Sequence, residues 1–283
     1  MNFTISRRSA LVGGVASAVA LTLSACSGNS GGVDGISVDG DTATISIGAT
    51  SQPHAQILQW VQDNLAADAG LSLDIVEIED YDIPNASLSD GSLAANFFQT
   101  PNFLEQQNEE KGYDLVAIAD VHIEPMGIYT DKGYSSVDEA AEGGTIVLNN
   151  DPANTARGLK LLESAGLITL DPDVEMPTTL DVTENPKKFE LIPVDGAQTP
   201  ISMADSELAV INGNFALAAG LNPSADALVL EPSGESPYAN QLVVRSADKD
   251  NEHLVKLAGL LNTEELRAYI EQTWTDESVV PAF

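Results

Sequence analysis

The sequence predicts an α/β protein built as two lobes with a ligand cleft between them. Three observations carry that expectation. Short apolar strands alternate with helical patterns, as in a parallel sheet covered by helices. A βαβαβ pattern completes by about residue 120 and then restarts, with no visible internal repeat. Polar clusters fall just after the strands, where ligands sit in open α/β sheets.

The elements follow in order. Thr44-Ile45-Ser46-Ile47-Gly48-Ala49 alternates and reads as a first strand. Ser51-Gln52-Pro53-His54 turns into a helix from Ala55 to Asn64. Leu71 to Ile78 is a second strand, and Ser87 to Gly91 a helix-then-turn signal. Phe103 to Lys111 is helical, and Leu115 to Ala119 is a strand. The second unit opens with a short helix at Val137 to Ala140 and a strand at Thr145 to Leu148. Asp151-Pro152 then starts a helix, with Asp as N-cap and Pro at the first helical position, and Gly166 closes it. Phe189 to Ile192 is a strand, Ser202 to Ser206 begins a short helix, and Leu208 to Ile211 is an apolar strand. Ala227 to Leu230 and Gln241 to Arg245 are strands. Helices at Glu252 to Leu261 and Thr263 to Thr273 close the chain.

The polar clusters define the candidate site. Asn154 and Arg157 lie one turn apart near a helix N-terminus, where partial positive charge favours an anion. A guanidinium offers a planar fork suited to a carboxylate. A capped helix with Arg157 paired to a surface acid is the plain alternative. Tyr81 and Asn96-Phe97-Phe98-Gln99 could supply an aromatic wall, against which core packing is the simpler reading. Asn212 follows an apolar strand and either points into the cleft or forms a turn.

At the N-terminus, Arg7 and Arg8 precede an uncharged apolar run that ends at Leu23-Ser24-Ala25-Cys26. This is the layout of a bacterial signal peptide, and Leu-x-x-Cys resembles a lipobox. There the cysteine receives a diacylglyceryl group and becomes the mature N-terminus. Cys26 is the only cysteine, so no internal disulfide competes for it. A transmembrane helix is the alternative, weakened by Gly13, Gly14 and several hydroxyl residues, and short against the roughly 20 residues a span needs. Ser6-Arg7-Arg8-Ser9 leaves both twin-arginine and Sec export open. Residues 27–41 are rich in Gly, Ser and Asp and read as a flexible tether.

Composition excludes whole classes of partner. The 283 residues carry a net charge of −31, which repels nucleic-acid phosphates. Beyond the signal segment the arginines are Arg157, Arg245 and Arg267, so one placed in a pocket stands out. The catalytic inventory is thin. His54, His122 and His253 are scattered, without the spacing of a metal motif. There is no Gly-x-Ser-x-Gly elbow and no phosphate loop. No catalytic residue, cofactor or metal is expected, and an enzyme is disfavoured.

Ordered motifs then add a resemblance. They are Pro53-His54-Ala55-Gln56-Ile57-Leu58, Asp80-Tyr81-x-x-Pro84-Asn85, Ala95-Asn96-x-Phe98-Gln99, and Glu124-Pro125-Met126-Gly127-Ile128-Tyr129. Asn150-Asp151-Pro152-x-Asn154-x-x-Arg157, Glu184-Asn185-Pro186-Lys187, Ala209 to Asn214, Ser236-Pro237-Tyr238-Ala239-Asn240, and Val280-Pro281-Ala282-Phe283 complete the series. In this order they resemble the NlpA family, methionine-binding lipoproteins of bacterial ABC importers. The resemblance implies a type II periplasmic-binding-protein fold and a membrane-anchored, extracytoplasmic protein. Its partners would be an amino acid and a permease with its ATPase. It implies a signal peptide at 1–25 and a lipidated tether at 26–41. One lobe would comprise 42–128 and 243–283, and the other 129–242. Arg157 would hold the α-carboxylate with Asn154 nearby, Asn212 would bond the ligand's polar groups, and Tyr81 and Phe98 would flank its side chain. The family commonly reads Asp-Ala-Asn-x-Phe-Gln-His where this chain has Ala94 and Thr100 in place of Asp and His. Both positions are expected to line the pocket, which opens side-chain selectivity to another amino acid or a methionine-containing peptide.

Overall fold

A computed structural model describes residues 33–234 and 236–283. The signal-peptide and Cys26 readings lie outside the described residues. In chain order the first sheet's strands and helices are β1 (Ile36–Asp39), β2 (Thr42–Ala49), α1 (Gln56–Val61), β3 (Leu71–Glu77), α2 (Ile83–Ser89), β4 (Ala95–Gln99), α3 (Pro101–Lys111) and β5 (Leu115–Ile123). Next come β6 (Gly127–Tyr129), β7 (Thr145–Asn149), α4 (Pro152–Ser164), β8 (Thr169–Leu170), β9 (Val182–Glu184), β10 (Glu190–Val194), α5 (Thr199–Ser202), β11 (Leu208–Ile211), α6 (Gly213–Ala218), α7 (Pro223–Asp226) and β12 (Val229–Leu230). The chain ends with β13 (Ala239–Arg245), α8 (Glu252–Leu260), α9 (Glu264–Thr273) and β14 (Val280–Pro281).

Two sheets organise these elements. The first runs β1-β2-β4-β13-β5-β14, with β3 on the other side of β2. Its β2, β3 and β4 are parallel, whereas β13 runs antiparallel to β4 and β5. The second runs β10-β7-β11-β6-β12, with β7, β10 and β11 parallel and β6 antiparallel to β11 and β12. Each sheet has its own core. Ile45, Ile47, Phe97 and Leu242 pack under Ile57, Leu58, Leu254 and Leu257 in one lobe. Ile128, Ile146, Leu148 and Val210 pack under Leu159 and Leu162 in the other. The chain changes lobe between Ile123 and Gly127 and returns between Leu230 and Ala239. Both crossings lie a few residues before the expected boundaries at 128/129 and 242/243.

Three local expectations change. Residues 36–39 belong to the fold rather than to a tether, because β1 folds back on β2 across Gly40, which adopts φ 60°. The helical signal at Ser202 to Ser206 is the end of a helix that starts at Thr199. The strand expected over Ala227 to Leu230 is confined to Val229–Leu230 by the helix ahead of it. No helix of the described residues is long and apolar enough to cross a membrane.

Candidate functional site

The first turn of α4 builds one wall of the cleft. Asp151 caps it as expected, accepting the Asn154 amide at 2.8 Å and the Asn154 side-chain amide at 2.9 Å. Asn154 and Arg157 therefore face the cavity one turn apart. Asn212, at the end of β11, donates to Asn154 Oδ1 at 2.7 Å. Asn149, at the end of β7, approaches Asn212 Oδ1 at 3.4 Å. The strand-end clusters thus form one network, in which Asn154 and Asn212 hold each other.

Arg157 is only 6 % exposed. Its Nε donates to Glu231 at 3.0 and 3.1 Å, and its Nη2 donates to Glu231 at 2.5 Å and to the Glu124 carbonyl at 3.0 Å. The Tyr238 ring lies 4.1 Å from the guanidinium carbon. Glu231, itself 13 % exposed, thus holds Nε and Nη2, and Nη1 has no protein partner among the described residues. Glu231 escaped the sequence reading because it lies 74 residues away with no periodic signal.

The opposite wall is aromatic. The Tyr81 ring sits 5.6 Å from Phe98, 5.7 Å from Phe103 and 4.9 Å from Phe215. Its hydroxyl donates across the cleft to Asn214 Oδ1 at 2.7 Å. Asn214 is buried, and its Nδ2 has no partner among the described residues. Such an orphaned donor is costly unless something else satisfies it. Phe97, in contrast, packs inward, 4.7 Å from the His54 ring.

A second polar cluster closes the floor. Glu124, 4 % exposed, sits on the first crossing and meets His122 Nε2 at 2.6 Å and His54 Nε2 at 3.3 Å. His54 Nε2 donates to Asn240 Oδ1 at 2.9 Å, and its Nδ1 accepts from the Thr50 hydroxyl at 2.6 Å. Burial pushes Glu124 up to about 7, His54 down to about 4 and His122 down to about 3. A protonated Glu124 donating to a neutral His122 satisfies both the short distance and these directions. The three groups offer ligand atoms within 4.8 Å of one another, a spacing a cation could use. Their ring nitrogens facing the cluster are already engaged, so they act as a hydrogen-bonded support for Glu124. Two of the three histidines that look scattered in sequence, His54 and His122, are gathered here by the turn after β2 and by β5, whereas His253 lies apart on α8.

All six expected ligand residues, Tyr81, Phe98, Thr100, Asn154, Arg157 and Asn212, line one small cavity. Gln99 and Asn214 line it too, from segments the sequence marks, and so do Glu124, Asn240 and Phe103, which the sequence does not single out as ligand residues. Gly213 is required beside them, since a Cβ there would come within 2.7 Å of Glu124 Cβ. Ala94 does not line the cavity. It is fully buried in the first lobe's core, with its amide bonded to Ser46 O. Of the two departures from the family pattern, Thr100 alone faces the ligand space.

The profile of the NlpA lipoprotein family matches residues 45–283. The chain belongs to the NlpA lipoprotein family. Among NlpA-type relatives, it is 36 % identical over 229 residues to the D-methionine-binding lipoprotein MetQ of Escherichia coli (strain K12), covering 80 % of this chain and 84 % of that one. It is 36 % identical over 264 residues to the methionine-binding lipoprotein MetQ of Bacillus subtilis (strain 168), covering 92 % and 93 %. A nutrient binding protein from Burkholderia cenocepacia, solved bound to methionine, superposes with a TM-score of 0.81 at 37 % identity, covering 84 % of this chain and all of that one. The NlpA fold is thus a two-lobed α/β binding-protein fold, as the sequence implies.

Proposed function

We propose that this protein is a lipid-anchored, extracytoplasmic binding protein that captures an amino acid, L-methionine first among candidates, and delivers it to an ABC importer. The observation that carries the reading is the composition of the interlobe cavity. A buried guanidinium whose Nη1 has no protein partner among the described residues faces an aromatic cage, and asparagine amides line the space between them. A carboxylate fits the first and an apolar or thioether side chain the second. The names of the relatives point the same way. The cavity presents a binding site, and no nucleophile is activated in it, so we read the protein as a carrier rather than an enzyme.

Mass spectrometry of the ligand released on denaturation, followed by competition binding across a panel of amino acids and methionine-containing dipeptides, tests this. The expected result is an α-amino acid with an apolar side chain. Recovery of a ligand of another class, with no amino acid bound in the panel, removes the reading. Thr100 supports a second possibility, altered side-chain selectivity, because it replaces an imidazole at the cavity wall. Thr100→His should then shift the ranking toward L-methionine by about 10-fold or more, the scale of a methylene-sized change in fit. The anchor rests on Cys26: Cys26→Ala should release the protein from membranes or leave it as an unprocessed precursor, read in either case as loss of lipid mass at the N-terminus.

A further inference from the structure

Arg157 sits where the two crossings meet. Its Nε donates to both Glu231 oxygens, and its Nη2 donates to Glu231 and to the Glu124 carbonyl. The guanidinium lies over the Tyr238 ring. Glu124 belongs to the first crossing, Glu231 and Tyr238 to the second. The crossings also hold each other through Glu231. The Met126 amide donates to Glu231 Oε2 at 2.8 Å, and the Glu231 amide donates to the Met126 carbonyl at 2.9 Å. The Glu231 carboxylate is therefore a fixed bracket, 13 % exposed and outside the lining of the ligand cavity.

An arginine side chain has many rotamers, and its fork serves a ligand only when it is aimed. Arg157 has a second place to go. It also lines a groove whose walls carry Glu105, Glu109, Glu110 and Glu175 against Lys160. Acids in that number draw a guanidinium toward the groove. Glu231 opposes them by taking Nε and Nη2 together, which leaves Nη1 without a protein partner among the described residues. The same carboxylate also repels an anionic ligand, so aim and charge act with opposite signs. Aim prevails here, because three donors already meet the Glu231 charge: Arg157 Nε, Arg157 Nη2 and the Met126 amide.

We propose that Glu231 is the positioning residue of the carboxylate clamp: it aims Arg157 at the ligand and fixes that aim to both crossings. This rests on the amino-acid reading above and adds to it a residue that acts on the ligand only through Arg157. Holding the guanidinium in advance removes an ordering cost that binding would otherwise meet.

The test compares the purified wild type with Glu231→Gln and Glu231→Ala, by calorimetry with L-methionine as the probe. Gln keeps an acceptor oxygen for Arg157, and Ala keeps none. Glu231→Ala should weaken binding by about 10-fold, the scale of ordering one rotamer-rich side chain, and Glu231→Gln by less. Binding unchanged or tighter in both variants overturns the inference, since charge would then outweigh aim. In an Arg157→Ala background, Glu231→Ala should change affinity by less than about twofold. An equal loss in both backgrounds overturns the inference, because Glu231 would then act through the fold. A signature that needs no ligand is the Arg157 Nε–H resonance in nitrogen–proton correlation spectra. The Arg245 Nε–H, held by Asp248, is its internal control. In Glu231→Gln the Arg157 signal should shift and exchange faster with water while the Arg245 signal stays. An Arg157 signal unmoved by the substitution overturns the inference, even if Glu231→Ala does not fold or Arg157→Ala binds too weakly to measure. A wild type that binds no amino acid, with the Arg157 signal moved as expected, removes the amino-acid reading and supports Glu231 as the bracket of Arg157.

Discussion

Arg157 is held through Nε and Nη2 by Glu231 and the Glu124 carbonyl, with Nη1 unpartnered among the described residues, so replacing it has two separable consequences. Arg157→Ala should weaken amino-acid binding by roughly 2–5 kcal/mol, the range for truncating one partner of a buried charge pair. It should also lower stability, because Glu231 would keep only its bond from the Met126 amide. Arg157→Lys keeps the charge and loses the fork, so affinity should fall further than stability does. Calorimetry and urea denaturation separate the two, and near-normal affinity in either variant would place the ligand elsewhere. Glu124 allows a sharper prediction because its proton is linked to folding. Below pH 4.5 the carboxyl is protonated in both folded and unfolded chains, and it contributes nothing. Between 4.5 and about 7 the folded protein holds a proton that the unfolded chain has lost, so stability falls as pH rises. Above 7 the loss is complete, on the order of 3 kcal/mol. The lowered His54 and His122 act with the opposite slope below their ordinary value of 6.5. The difference between wild type and Glu124→Gln isolates Glu124 from them. In ligand-free protein the Gln variant should gain on the wild type from pH 4.5 to 7 and then plateau. A difference that does not change with pH means Glu124 is ionised throughout. Sequence alone exposes Arg157, because a lone arginine behind an Asp-Pro cap is rare in so acidic a chain. It cannot expose Glu124, one acid among 43 Asp and Glu, whose meaning comes from neighbours 70 residues apart.

Elements were legible where local chemistry sets them. The Asp151 cap with Pro152 at the first turn, and Gly166 in the left-handed region at φ 75°, mark both ends of α4 without any tertiary input. The hairpin at β1 was not legible, because its Gly- and Asp-rich setting resembles linker composition and its stability comes from afar. Arg245 supplies much of that stability. Its Nη1 donates to the Leu88 and Leu93 carbonyls at 2.6 and 2.7 Å, and its Nη2 donates to Asp34 O at 2.8 Å. Asp248 holds its Nε. One side chain on β13 thus ties the turn after α2 to the segment leading into β1. Arg245→Ala should cost roughly 2 kcal/mol, the scale of hydrogen bonds to a charged group. The local effect should exceed the global one. Hydrogen exchange should show the β1 amides that pair with β2 opening faster while β7 and β11 are unchanged. Uniform acceleration across both sheets would mean that Arg245 supports the whole fold instead of this edge.

At the scale of the whole molecule, two crossings make one cleft, and few side chains span it. Tyr81 does so most directly, stacking on Phe215 and donating to Asn214, both carried by α6 of the second lobe. The two-lobe plan was legible from the restart of the βαβ pattern, yet this bridge was not, since nothing local links residue 81 to residue 214. The bridge has a thermodynamic role that can be measured. A ligand held between lobes binds with an apparent affinity reduced by the fraction of molecules that are not closed. Tyr81→Phe keeps the ring in the cage and removes the hydroxyl, leaving Asn214 Oδ1 without its donor. Losing one such bond, at about 1 kcal/mol, lowers the closed-to-open ratio about fivefold. The variant should therefore bind the amino acid more weakly, by up to about fivefold, with a faster dissociation rate and little change in association. Small-angle scattering of the ligand-free variant should show a larger radius of gyration, which saturating ligand restores. Weaker binding with no change in scattering would make the hydroxyl a ligand contact. Unchanged binding and unchanged scattering would mean that the remaining contacts across the cleft hold it shut without Tyr81.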